Sequence, residues 1–132
     1  MSEILMRDVT RVGRELGRSH LADLPVRATV GDLLETRIRR EVAAYNRAPG
    51  PVFVGLVQPH DAIRHSDGFR MRSPRLLDGD AAVSAARGAV TAGMLAFQLG
   101  DVRVTDLEQV VDVDAHDEIL AVLERPVVAA EA

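Results

Sequence analysis

The feature that most constrains this chain is the stretch Thr29 to Asn46, in which Val30, Leu34, Ile38, Val42 and Tyr45 recur at steps of three and four residues. That spacing lines them on one face of a 3.6-residue period, with Leu33 beside them, and predicts an amphipathic helix. Thr29 and Asp32 occupy the N-cap and N3 places, where a threonine oxygen accepts an orphan amide and an acidic group meets the positive helix end. Glu35 with Arg39, and Arg37 with Glu41, are favourable pairs four residues apart. No other segment is as long and as periodic, so a small sheet is expected to fold around this helix.

The flanking chain supplies strands. Ile4 to Val12 alternates, with Ile4, Met6 and Val9 as inward candidates, and Gly13 and Gly17 bracket a turn or bulge. Leu21, Leu24 and Val26 mark a second extended segment, interrupted by Pro25, which favours an edge or a strand end. After the breaker Pro49-Gly50-Pro51, the run Val52 to Val57 reads as a central strand covered on both faces. Residues 58 to 78 are irregular, with a turn signal at Asp67-Gly68 and a short exposed strand around Phe69 and Met71. A second helix is expected from Asp80 to Leu99, stopped by Gly100. Asp101 to Val104 follows as a short strand, then the capping-box spacing of Thr105 and Glu108. Val111 and Val113 alternate with acids, and a last strand holds Ile119, Ala121 and Leu123 on one face. The expected class is α+β, a mixed sheet containing Val52 to Val57 and Ile119 to Leu123 packed on the leading helix.

A length of 132 residues suits one domain, and 47% hydrophobic residues with 3% aromatics imply a core of aliphatic side chains. No apolar run reaches the roughly 18 residues of a membrane helix, and the start lacks a secretory pattern, so the expectation is a cytoplasmic protein with no membrane partner. Cysteine and lysine are both absent, which excludes thiolate nucleophiles, disulfides, Schiff bases and a P-loop lysine. Residues 1 to 100 carry 14 arginines against 11 acids, and residues 101 to 132 carry 2 against 9. The acidic end and the scarcity of stacking aromatics argue against nucleic acid, while the arginine-rich part suits an acidic protein partner.

Two sets of residues carry the functional expectations. Arg37, Arg39, Arg40 and Arg47 form a group whose first three members are expected on the exposed side of the leading helix, with Arg64, Arg70, Arg72 and Arg75 extending it. Guanidinium forks pair with carboxylates, so a protein-binding surface is expected at Arg37, Arg39, Arg40, Arg47, Arg70 and Arg72. The second set is His60, Asp61, His65 and Asp67, an alternative polar site in which imidazole relays a proton that a carboxylate orients. Neither histidine has a nucleophile beside it or the H-x-x-x-H metal spacing. His20 and His116 stand isolated, and Asp112, Asp114, Asp117 and Glu118 lack the arrangement of a calcium loop. No metal or cofactor is expected, and the glycines of G-R-E-L-G match no phosphate loop.

The order of elements, with P-V-R-A-T-V-G-D-L-L before the main helix, T-D-L-E at Thr105 to Glu108 and E-I-L-A-V-L-E-R-P-V-V-A at the end, resembles the ubiquitin-like β-grasp superfold, in particular small sulfur carriers. That resemblance implies a single ubiquitin-like domain over residues 1 to 132 with an insertion at about 58 to 99. Its carriers and conjugated modifiers use a C-terminal Gly-Gly, whereas this sequence ends Val128-Ala129-Ala130-Glu131-Ala132. The resemblance therefore implies a noncovalent adaptor or regulatory interaction module, not a covalent carrier. The competing expectation is a small enzyme or ligand-binding protein that uses residues 58 to 75.

Overall fold

The computed structural model describes residues 1–130, an α+β arrangement with two helices and a five-stranded mixed sheet. Strand β1 (Ser2–Thr10) turns into β2 (Glu15–Leu24), and the bulge expected near Gly17 appears as a register shift where Asp8 faces Gly17 and Val9 faces Glu15. Pro25 ends β2, which leaves Val26 outside the strand and half exposed. A short β3 (Arg27–Thr29) leads into helix α1 (Val30–Asn46). Its N-cap is as expected, with the Thr29 hydroxyl oxygen accepting the Asp32 amide at 3.0 Å. Val30, Leu33, Leu34, Ile38, Val42 and Tyr45 are all buried.

The V-F-V-G-L-V run does not form a central strand. Only β4 (Val52–Phe53) is extended, and it joins β5 (Ile63–His65) and β6 (Gly68–Arg70) in a separate sheet of order β4-β6-β5. The cause lies at Gly55, where the chain folds back so closely over the Phe53 ring that a Cβ would stand 2.5 Å from it. Val54 is thrown outward, 66% exposed, while Leu56 and Val57 turn back into the core. Phe69 is buried rather than on an exposed strand, stacked against Phe53 with ring centres 6.4 Å apart.

The second helix is also shorter than its periodicity suggests. Asp78 caps α2 (Gly79–Thr91) by accepting the amides of Asp80 and Ala81, and Gly93, at φ +78°, turns the chain out of the helix. Leu95–Leu99 is strand β7, which hairpins into β8 (Val102–Val104). Residues 95 to 99 thus belong to the main sheet rather than to the inserted region. Thr105 to Glu108 starts no helix either. It is a turn whose Leu107 carbonyl accepts the Gly31 amide at 2.8 Å, while Gln109 accepts that of Val30 at 2.9 Å. Both amides belong to the first turn of α1, so this turn completes the cap begun by Thr29. β9 (Val110–Asp112) then pairs with β3, and β10 (Glu118–Leu123) buries Ile119, Ala121 and Leu123 as expected.

The main sheet runs β2-β1-β10-β7-β8, with β1 and β10 parallel and the other pairs antiparallel. Met6, Ile119, Ala121 and Phe97 are buried in the same core cluster as Leu34 and Ile38 of α1, and the two helices pack against each other. No helix among the described residues is long and apolar enough to cross a membrane.

Candidate functional site: a cleft beside the inserted segment

Residues 57 to 78 leave the core at Val57 and return at Leu77, and a cleft of about 460 Å³ opens beside them. Its floor is apolar, built from Val42 of α1, Phe53, Val57 and Ala82 of α2. Polar groups stand on its rim: His60, Asp61, Arg72, Arg75 and Asp78. The residues 129 and 130, both alanine, complete one wall.

Specific bonds hold this loop. The Asn46 side chain donates to the Leu77 carbonyl at 2.9 Å and accepts the Leu77 amide at 2.8 Å, which pins the returning chain to the end of α1. Arg75 donates to the His60 carbonyl at 2.8 Å, and the Gln58 amide side chain donates to the Ala62 carbonyl at 2.7 Å. His60 Nε2 lies 3.3 Å from Asp61 Oδ1, and Asp61 itself sits at φ +65°, a left-handed position that a side chain rarely takes. Asp78 is committed to its helix cap. Arg72, exposed on the rim, makes no side-chain hydrogen bond or ion pair among the described residues.

Of the six expected arginines, five are exposed and one, Arg37, is misplaced. Arg37 is not on the exposed side of α1 at all: it is 1% exposed and points into the core. Its Nη1 and Nη2 donate to Asp8 Oδ1 and Oδ2 at 2.5 and 2.6 Å, a two-pronged pair between helix and sheet. Its Nε stands 3.3 Å from Glu41 Oε1 but without hydrogen-bond alignment. Glu41 in turn accepts the Leu56 amide at 3.1 Å, so the cluster fastens β1, α1 and the turn that follows β4 together. Burial opposes the charge on Arg37, yet the carboxylates of Asp8 and Glu41 outweigh it and hold the guanidinium firmly protonated. For Glu41 the balance is reversed: burial pushes its carboxyl above the ordinary range despite Arg37 and the Leu56 amide.

The remaining arginines are mostly occupied. Arg39 bridges Asp80 at 2.9 Å and Glu35 at 3.3 Å, Arg40 donates to the Ala22 carbonyl at 2.6 Å, and Arg70 pairs with Asp67 at 3.1 Å. Arg64 lies over the Phe69 ring, 4.5 Å from its centre, with its pKa lowered by burial. Only Arg47 and Arg72 of the six are exposed and make no such contact among the described residues. The polar set separates as well. His60 faces the cleft, whereas His65 is exposed on β5 and Asp67 lines a different, smaller cavity of about 130 Å³ over the Asp8–Arg37–Glu41 cluster. The two histidines therefore do not share a site, and no group of three His, Asp or Glu residues among the described ones is placed to hold a metal ion.

Sequence reasoning missed the C-terminal wall. Beyond β10, the Gln58 amide donates to the Val127 carbonyl at 2.7 Å and the Ala129 amide donates to the Gln58 carbonyl at 2.9 Å, a parallel bridge across Val128. Val127 is buried. The signal available was the V-V-A pattern after Pro126, an apolar residue where a solvated tail needs none. The residues 131 and 132 lie outside the described part. Comparison of the chain with known protein families, with curated proteins and with solved structures yields no match.

Proposed function

We propose that the chain is a ubiquitin-like β-grasp domain working as a noncovalent protein-interaction module for a partner with an acidic surface. The β-grasp reading is supported by the strand order β2-β1-β10-β7-β8, in which the first and last strands pair in parallel at the centre. Between two hairpins, α1 and the shorter α2 cover the core. The single observation that carries the functional reading is the cleft: an apolar floor flanked by Arg72, a cation with no partner of its own among the described residues. An apolar anchor fits the floor and a neighbouring carboxylate answers Arg72. The reading centres on Arg72 and Arg47, because Arg37 is buried on Asp8 while the exposed Arg39, Arg40 and Arg70 already have intramolecular partners. Arg47 follows Asn46, the residue that pins the loop at Leu77.

A second reading, a small-ligand site or enzyme built on residues 58 to 75, draws on the convergence of His60 and Arg75 on the same cleft. Titration of the isotope-labelled protein with a short peptide carrying a valine between aspartates separates the two. The module predicts shift changes at Val57, Arg72 and Ala82 that weaken with salt and are lost in the double variant Arg47→Glu, Arg72→Glu. Binding indifferent to both charge reversal and salt would refute the acidic-partner reading.

A further inference from the structure

The C-terminal segment beside the cleft shows in one place both a peptide and the groove that receives it. Residues 127 to 129 run extended and parallel to Gln58, exchange two backbone hydrogen bonds with it, and bury one β-branched side chain, Val127, while Val128 points outward. Ala129 adds to the cleft wall without filling the space. This is strand addition in miniature: backbone bonds give affinity and alternate side chains give selectivity. β10 ends at Leu123, and beyond the Glu124 amide, which donates to the Met94 carbonyl at 2.9 Å, the described ties of this segment are those two bonds and the packing of Val127 and Ala129 on the core.

We infer that the Gln58 edge is an acceptor for an extended peptide, occupied in cis by the chain's own residues 127 to 130, and that a partner segment binds by displacing them. The occupant to which the geometry commits is a strand of a partner protein with a β-branched apolar residue, a small residue two positions later and a carboxylate near the small residue. The first two features are those of Val127 and Ala129; the third answers Arg72 on the rim. Arg72 is too exposed to hold a charge alone, so the backbone bonds at Gln58 supply the orientation and the arginine supplies the preference. The cis segment then sets a threshold, because a partner binds only as far as it outcompetes a tethered rival. The inference rests on the reading of this cleft as a protein-binding site and adds to it the mode of entry and its regulation.

The test uses the full chain with Val127→Asp, which places a charge where the buried valine sat, and separately with Ala129→Pro, which removes the amide donated to Gln58. In both variants the Gln58 amide is expected to exchange with solvent on the order of tenfold faster, while the amides of β1 and β10 keep their protection and report an intact sheet. The probe is a synthetic peptide of residues 124 to 130, E-R-P-V-V-A-A. It is expected to bind each variant and restore Gln58 protection, and to bind the unaltered chain on the order of tenfold more weakly. Equal peptide affinity for the unaltered chain and both variants would overturn the inference, as would unchanged Gln58 exchange in both. A dimer of the unaltered chain, formed by mutual exchange of these segments at high concentration, would also overturn it by assigning the groove to a second copy. If Arg47→Glu, Arg72→Glu abolishes acidic-peptide binding while Gln58 exchange is insensitive to Val127→Asp and Ala129→Pro, the interaction module stands and this inference alone falls.

Discussion

Replacement of Arg37 by alanine is the most severe single perturbation that the described contacts predict. Asp8 is 4% exposed and receives both of its strong bonds from Arg37, at 2.5 and 2.6 Å. Removing the guanidinium leaves Asp8 and Glu41 as two carboxylates in a buried space with no cation between them. Breaking a buried pair in this way costs about 3 to 5 kcal/mol, a large share of the roughly 5 to 15 kcal/mol that holds a domain together. The melting temperature should fall by roughly 10 to 20 °C for a domain of this size. Urea unfolding provides the measurement, with an unchanged slope marking a loss of stability rather than of compactness. The argument also predicts the repair. Asp8→Val combined with Arg37→Met removes both charges of the tightest pair and should recover part of the loss, because a well-packed apolar substitute commonly matches a buried ion pair while Glu41 is left without its cation. A double variant as unstable as the sum of its two single changes would refute the reasoning, as would a cost for Arg37→Ala below about 1 kcal/mol.

Two further perturbations test the fold around that cluster. Glu41→Gln keeps an oxygen for the Leu56 amide but removes a carboxyl whose folded pKa burial has raised above its ordinary 4.5. Because the folded chain then holds that proton more tightly than the unfolded one, the Glu41 contribution is fullest below pH 4.5 and is lost as pH rises through the raised value. The stability of Glu41→Gln relative to the unaltered chain should therefore climb from pH 4 to pH 7 in parallel melting curves, and a difference flat with pH would contradict the sign. Ile38→Ala opens a cavity under α1, where Ile38 is buried, and should cost about 2 to 4 kcal/mol in chemical denaturation; no measurable loss would mean that α1 does not pack on the sheet through this face.

The parts of the fold that were legible in the sequence are those whose signal is local. The α1 period, its Thr29 cap and the alternation of Ile119, Ala121 and Leu123 each depend on neighbours within a few positions. The run Val52 to Val57 looked like a strand because a hydrophobic hexamer says nothing of the ring of Phe53 closing on Gly55. Val90, Met94 and Phe97 continue a helical spacing by coincidence, and the left-handed turn at Gly93 lies between them. Arg37 shows why a charge pattern alone misplaces a site. Its partner Glu41 is four residues away and visible, but Asp8, which draws it inward, reaches it only through the tertiary packing of β1 on α1. An acid at the inward position after Ile4 and Met6 was the available clue. The cleft was half legible: residues 58 to 75 supply its rim, and its remaining wall arrives from the far end of the chain.

The parallel pairing of β1 with β10 governs when this molecule can come into being. Met6 faces Ile119 and Val9 faces Val122, so the middle of the sheet joins the first strand to the last. During synthesis the β1–β2 hairpin emerges early and can gather α1 against itself, while the strand that completes the core is still unmade. Closure waits until Leu123 has cleared the ribosome, more than a hundred residues after its partner Thr10. Contacts so distant along the chain make the final step slow compared with the hairpins that precede it. Until then the inward faces of β1 and α1 stand open to whatever is nearby, and the half-made protein depends on its surroundings as the finished one does not.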